Sequence, residues 1–153
     1  MNIIWQYLDK RSATINALKD YSSMEFIINH TAEEISGVHY KMEGVHSPQF
    51  DGMPRVHNPK AAEERILNGI EEIDVLQERY RQAKEYMNWF KPAWSELSED
   101  ERFVLEAFYQ ENEDNQTGAV YDVCDYFHIE RSSAYNKKNR ALQHLALLLF
   151  GKQ

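Results

Sequence analysis

A chain of 153 residues with 42% apolar residues is long enough for one large domain or two small ones and can bury a core, so it need not be disordered. The longest apolar stretch, 145–150, falls far short of the roughly 20 residues that a bilayer helix needs. A net charge of −8 argues against indiscriminate adhesion to DNA or anionic lipid, and the single cysteine, Cys124, excludes an internal disulfide framework and suits a reducing compartment. The opening MNIIWQYLDKR sets its charges after its apolar residues, the reverse of a secretory signal. The expected location is the cytoplasm, with no membrane partner.

Along the chain the pattern reads as helices throughout. Ile4, Leu8, Ile15 and Leu18 follow helical spacing, and a second phase runs Tyr21, Met24, Ile28, Thr31, Ile35, Val38 and Met42. The phase shift coincides with Ser22 and Glu25, which have capping-box spacing, so a kink or a fresh helix start is expected there. The segment HSPQFDGMPRVHNP (46–59) has three prolines and an Asp-Gly pair, and is a loop. Pro59 suits the start of a helix in which Ile66, Gly69, Ile73, Leu76, Tyr80, Ala83, Met87, Phe90 and Trp94 hold heptad seam positions. Gly69 and Ala83 on the seam permit close approach of a neighbouring helix. Two long amphipathic segments joined by one loop should fold back as an antiparallel, coiled-coil-like helical hairpin, a dimeric coiled coil being the alternative. Lys91-Pro92 is expected to end or kink the second helix. Trp5, Trp89 and Trp94 read as core.

The C-terminal third has a different character. Ser98 and Glu101 form another capping-box pair, opening a helix with Phe103, Val104, Ala107 and Phe108 on its apolar side. A polar break at 112–118 follows. A short helix then sets Val120, Val123, Cys124 and Phe127 inward, Ile129 lies in a tight connection, and a long helix begins near Arg131. Two helices joined by a three- or four-residue turn, the second one basic, form the helix-turn-helix pattern.

These residues resemble region 4 of sigma-70 factors. Leu97-Ser98, Glu101-Arg102 and Val104-Leu105 are similar to its opening helix. Val123-Cys124, Phe127, Ile129, Ala134 and Arg140-Ala141-Leu142 are similar to its scaffold and recognition helices. The chain further resembles the small sigma-70-region-4-like regulators of phages and integrated elements, the ArpU-type family among them, through Gly52-Met53-Pro54 and the Tyr135…Arg140-Ala141-Leu142 pattern. The resemblance implies an all-α protein: a helical hairpin over 1–95 with its loop at 46–59, then a helix-turn-helix DNA-binding domain over 96–153. It also implies sequence-specific regulation of phage or mobile-element transcription. Two positions depart from the family form. His128 stands where glycine is common, and must adopt a left-handed or bridge conformation. Glu130 stands where serine often caps the next helix.

At about 100° per residue, Ala134, Ala141, Leu145 and Leu148 share the inner side of the helix 131–150. Ser132, Tyr135, Asn136, Asn139, Arg140 and Gln143 share the outer side. Asn and Gln can pair with adenine, Arg with guanine, and Tyr or Ser with phosphate or a thymine methyl. Arg131 opens this helix, and Lys137 and Lys138 lie at the flanks, where phosphate contacts belong. The expected DNA-binding set is therefore Arg131, Ser132, Tyr135, Asn136, Lys137, Lys138, Asn139, Arg140 and Gln143. The charge distribution sharpens this set: residues 96–129 hold ten acids against Arg102 alone, whereas from 130 onward Arg131, Lys137, Lys138, Arg140 and Lys152 face only Glu130. The acids should face away from a duplex, and they suit a basic protein surface such as one on RNA polymerase. Leu147 and Phe150 need a partner beyond the local core, either the hairpin or a second copy in a homodimer.

No catalytic constellation is present. His30, His39, His46, His57, His128 and His144 lack metal-ligand spacing, Cys124 reads as a small core residue, and no glycine-rich phosphate loop or Ser-His-Asp order occurs. The expectation is a non-enzymatic protein with double-stranded DNA as partner and neither metal nor cofactor. The rival readings are a helical adaptor or inhibitor that acts on RNA polymerase or another protein without touching DNA, and a structural phage component.

Overall fold

A computed structural model of the chain describes residues 8–44, 59–111 and 114–151. Ile4, Trp5, Gly52-Met53-Pro54, Lys152 and the loop before Pro59 lie outside the described residues. Those described are all-α, without strands: α1 Lys10–Met42, α2 Pro59–Glu96, α3 Glu99–Glu106, α4 Gln116–Phe127 and α5 Arg131–Phe150, with a π-helical turn Ala107–Glu111 closing α3. No helix among them is long and apolar enough to cross a membrane.

Helix α1 begins where Asp9 turns its carboxylate onto the free amides of Arg11 and Ser12, at 3.1 and 3.2 Å. This cap satisfies donors that the first turn of any helix leaves orphaned. The helix then runs through Ser22 without interruption, so Ser22 and Glu25 start no new helix. Their capping potential is outweighed by the helix-forming apolar stripe on both sides. Helix α2 likewise continues through Pro92, where the sequence suggested an end or a kink, and runs on to Glu96. A mid-helix proline costs about 3 kcal/mol in lost hydrogen bonding and ring clash. Here Phe90, Ala93 and Leu97, all buried, hold the last turns in place around it.

The described residues pack as two compact units. One is Glu25–Glu85; the other takes in the described residues up to Met24 together with those from Tyr86 onward. In Glu25–Glu85, Thr31 and Val38 of α1 and Gly69, Leu76 and Ala83 of α2 are buried. A Cβ added to Gly69 would lie 2.3 Å from Cγ of Met42, so the helices meet there because glycine leaves room. Ile66, expected on the seam, is 43% exposed.

The second unit holds the main core. Ala17 and Leu18 from α1, Phe90 and Ala93 from α2, Leu97 just after it, Val104, Leu105, Ala107 and Phe108 from α3 and its π turn, Val120 and Val123 from α4, and Ala134, Ala141, Leu142, Leu145 and Leu149 from α5 form one cluster. The Tyr86 hydroxyl donates to the Ala17 carbonyl, tying α2 to α1. Burial, then the charge of Asp20, pushes its phenol above the usual tyrosine range. Trp94 stacks on Phe90 at 5.7 Å, as a core aromatic should. Trp89 departs from expectation: it is partly exposed and meets Phe150 edge-on at 5.5 Å.

Candidate nucleic-acid interface

The candidate surface is positioned from α3 upward. Ser98 caps α3 in a complete capping box: its hydroxyl accepts from the Glu101 amide, and the Glu101 carboxylate accepts from the Ser98 amide, each at 3.2 Å. The other oxygen of Glu101 meets His144 Nδ1 at 2.7 Å, fastening α5 to the start of α3. Burial works to raise the Glu101 carboxyl, but the bonds from His144 and Ser98 win, and it lies below the ordinary glutamate range. Downstream, Phe108 and Tyr109 are buried in the π turn, and Gln116 donates its side-chain amide to the Phe108 carbonyl at 3.3 Å. This bond takes up an acceptor at the point where the regular helical ladder ends.

Asn115 caps α4 by accepting from the Gly118 amide at 3.0 Å. Ala119, Val120 and Val123 are buried on its inner side, with Cys124 and Phe127 half-buried against the same core. The helix ends at His128, the one described non-glycine residue with positive φ, at φ 54° and ψ 49°. The amides of His128 and Ile129 both return to the Cys124 carbonyl, which is the left-handed helix-ending signature that glycine usually fills. Glu130 then leads into α5 in extended conformation and makes no side-chain capping bond. Both departures noted in the sequence thus have a structural form.

On α5, Ala134, Ala141, Leu142, Leu145 and Leu149 are buried. Leu148, expected inward, is 37% exposed, and Leu149 takes the inner position. The opposite side presents Arg131, Ser132, Tyr135, Asn136, Asn139, Arg140 and Gln143 to solvent. The two lysines sit lower than expected: both are half-buried, with Lys137 Nζ 4.5 Å from the centre of the Phe127 ring and Lys138 Nζ 5.1 Å from that of Phe108. Their stems lie along apolar surface while the ammonium groups rest over ring faces. Arg131 lies over the Tyr121 ring at 5.8 Å.

The site has two members that sequence reasoning missed, Lys10 and Arg11 at the start of α1. Arg11 Nη2 donates to Asn139 Oδ1 at 3.1 Å, across 128 positions of sequence. Around this bond Lys10, Arg11, Asn139, Arg140, Gln143, His144 and Leu147 line an open crevice of about 950 Å³, and no acid is among its described lining residues. Nothing in the linear pattern links Arg11 to Asn139; only the Asp9 cap, legible as an Asp before a helical stripe, marks where α1 starts. The acidic residues of 96–129 are mostly exposed, while Glu101 and Glu106 are half-buried. Burial, then the charge of Glu111, raises the Glu106 carboxyl, opposed by Arg102. Among the described residues no three of His, Cys, Asp and Glu gather to hold a metal ion. Compared with family models, with curated proteins and with solved structures, the chain matches none.

Proposed function

We propose that this protein is a non-enzymatic, sequence-specific regulator of transcription that binds double-stranded DNA, with α4, the His128 turn and α5 acting as a helix-turn-helix that follows a helical hairpin in the sequence. In this reading α5 lies in the major groove, and the regulated genes are those of a phage or mobile element, as the resemblance to sigma-70 region 4 implies. The observation that carries it is the division of α5 into two sides. One carries the buried Ala134, Ala141, Leu142, Leu145 and Leu149; the other is an exposed set of Ser, Tyr, Asn, Arg and Gln side chains, on a helix without a single acid from Arg131 to Phe150. Amide and guanidinium groups in that arrangement match the donor and acceptor pattern of base edges. The left-handed turn at His128 supports it further, since a short rigid turn is what sets two helices of this motif at a fixed angle.

The test is selection of bound duplexes from a random DNA pool at low salt with the full chain. Enrichment of one sequence motif is expected. Absence of any retained duplex would refute the reading. A second reading, a protein-binding adaptor acting on RNA polymerase or another protein, is favoured by the exposed acids Glu99, Asp100, Asp114 and Asp125 and by exposed Leu147 and Leu148. Capture of RNA polymerase by a protein in which Asn136, Asn139 and Arg140 are all alanine, with no DNA retained by wild type, would support it.

A further inference from the structure

We infer that the crevice between the start of α1 and the C-terminal half of α5 is a phosphate-binding site that clamps a DNA backbone phosphodiester, an inference that rests on the DNA-binding reading above. In a chain of net charge −8, this crevice sets Lys10 and Arg11 beside Asn139 and His144, with no acid among the described lining residues. Such a concentration of one sign against the sign of the whole molecule suits an anionic ligand.

The Arg11–Asn139 bond decides which kind of contact the crevice makes. A guanidinium only donates, so the Asn139 atom facing it is the carbonyl oxygen, and the amide nitrogen is left for a ligand. Pairing with adenine needs both ends of the asparagine amide. Held by Arg11, Asn139 presents a donor instead, beside a guanidinium that spends one of its five N–H groups on the bond. The pair therefore offers donors alone, as phosphate oxygens require. Lys138 fits the same picture: burial, then the nearby charge of Arg11, pushes its ammonium below the usual lysine range, and an arriving anion relieves that repulsion. Asn139 accordingly moves from the base-reading group to the backbone-positioning group, leaving Asn136, Arg140 and Gln143 to read sequence.

The experiment measures binding of the full chain to a fluorescent duplex carrying its selected motif, over a series of salt concentrations. Arg11→Gln keeps a donor for Asn139 but removes the charge; Arg11→Lys keeps the charge. Arg11→Gln is expected to weaken binding about tenfold at low salt, on matched and unmatched duplexes alike, and to lower the salt slope by about 1, the counterions of one phosphate. Arg11→Lys is expected to restore most of both, and Asn139→Ala to leave the selected motif unchanged. If wild type binds and Arg11→Gln keeps its affinity and slope, or if Asn139→Ala alters the motif, the phosphate site is refuted while DNA binding stands. If wild type binds no duplex, the DNA-binding reading itself falls and takes the site with it.

Discussion

Glu101 of α3 and His144 of α5 meet at 2.7 Å, and the same carboxylate closes the capping box with Ser98. One side chain thus both starts a helix and holds the candidate recognition helix against it. The contact depends on the Glu101 carboxylate, which serves the capping box and His144 at once.

Because the Glu101 carboxyl is lower in the folded protein than in the unfolded chain, its contribution is fully present above the ordinary glutamate value of about 4.5 and is lost as pH falls through the depressed value. Glu106 has the opposite sign: its raised carboxyl opposes folding at neutral pH and is relieved as pH falls. Urea unfolding across pH 3–7 is expected to show a shallower acid loss for Glu101→Gln than for wild type. Glu106→Gln is expected to gain stability at neutral pH, and an acid limb unchanged by Glu101→Gln would contradict the account.

The turn between α4 and α5 is underoptimised at two adjacent sites. His128→Gly removes the cost of a left-handed side-chain-bearing residue, an expected gain of about 0.5–1 kcal/mol. Glu130→Ser supplies the missing capping hydroxyl, an expected gain of about 1 kcal/mol. Thermal unfolding of each variant checks both, and a loss of stability on His128→Gly would be inconsistent with the left-handed turn.

Much of this architecture is written in local signals. The Ser98–Glu101 box, Pro59 at the head of α2 and the stripe from Tyr21 to Met42 depend on residues a few positions apart, and they form the expected elements. Where a local signal competed with packing, packing won: Ser22 starts no helix and Pro92 ends none, because apolar stripes continue across both. The π turn had no legible signal. Nor did the pairs Arg11–Asn139 and Trp89–Phe150, since residues far apart in sequence are brought together by the whole core and by no periodicity. The outer side of α5 was legible from spacing, but the burial of Lys137 and Lys138 was not, because it depends on where the Phe127 and Phe108 rings lie.

Gly69 is expected to be intolerant of bulk. Its Cβ position is filled by Cγ and Sδ of Met42, at 2.3 and 2.5 Å. Gly69→Leu should destabilise by about 1–3 kcal/mol through overpacking, and Met42→Ala in the same chain should recover part of that loss. Chemical denaturation of the single and double variants reads the coupling; additive effects would show that the two residues are not in contact.

Lys137 rests over Phe127, so its removal should have two effects where a purely surface lysine has one. Lys137→Ala is expected to lower stability by about 0.5–1 kcal/mol and to weaken DNA binding on all sequences alike. Lys137→Arg should preserve both. A change in sequence preference would instead make Lys137 a base-reading residue.

The most direct test of the central claim compares wild type with Asn136→Ala and Arg140→Ala on the selected duplex and on one with a scrambled motif. Both side chains are exposed and outside the core, so the variants should keep wild-type helicity by circular dichroism. Wild type is expected to prefer the selected duplex strongly and each variant to lose that preference, with affinity for the scrambled duplex nearly unchanged. Equal preference in wild type and both variants would contradict the claim, because α5 would then not be the element that reads DNA.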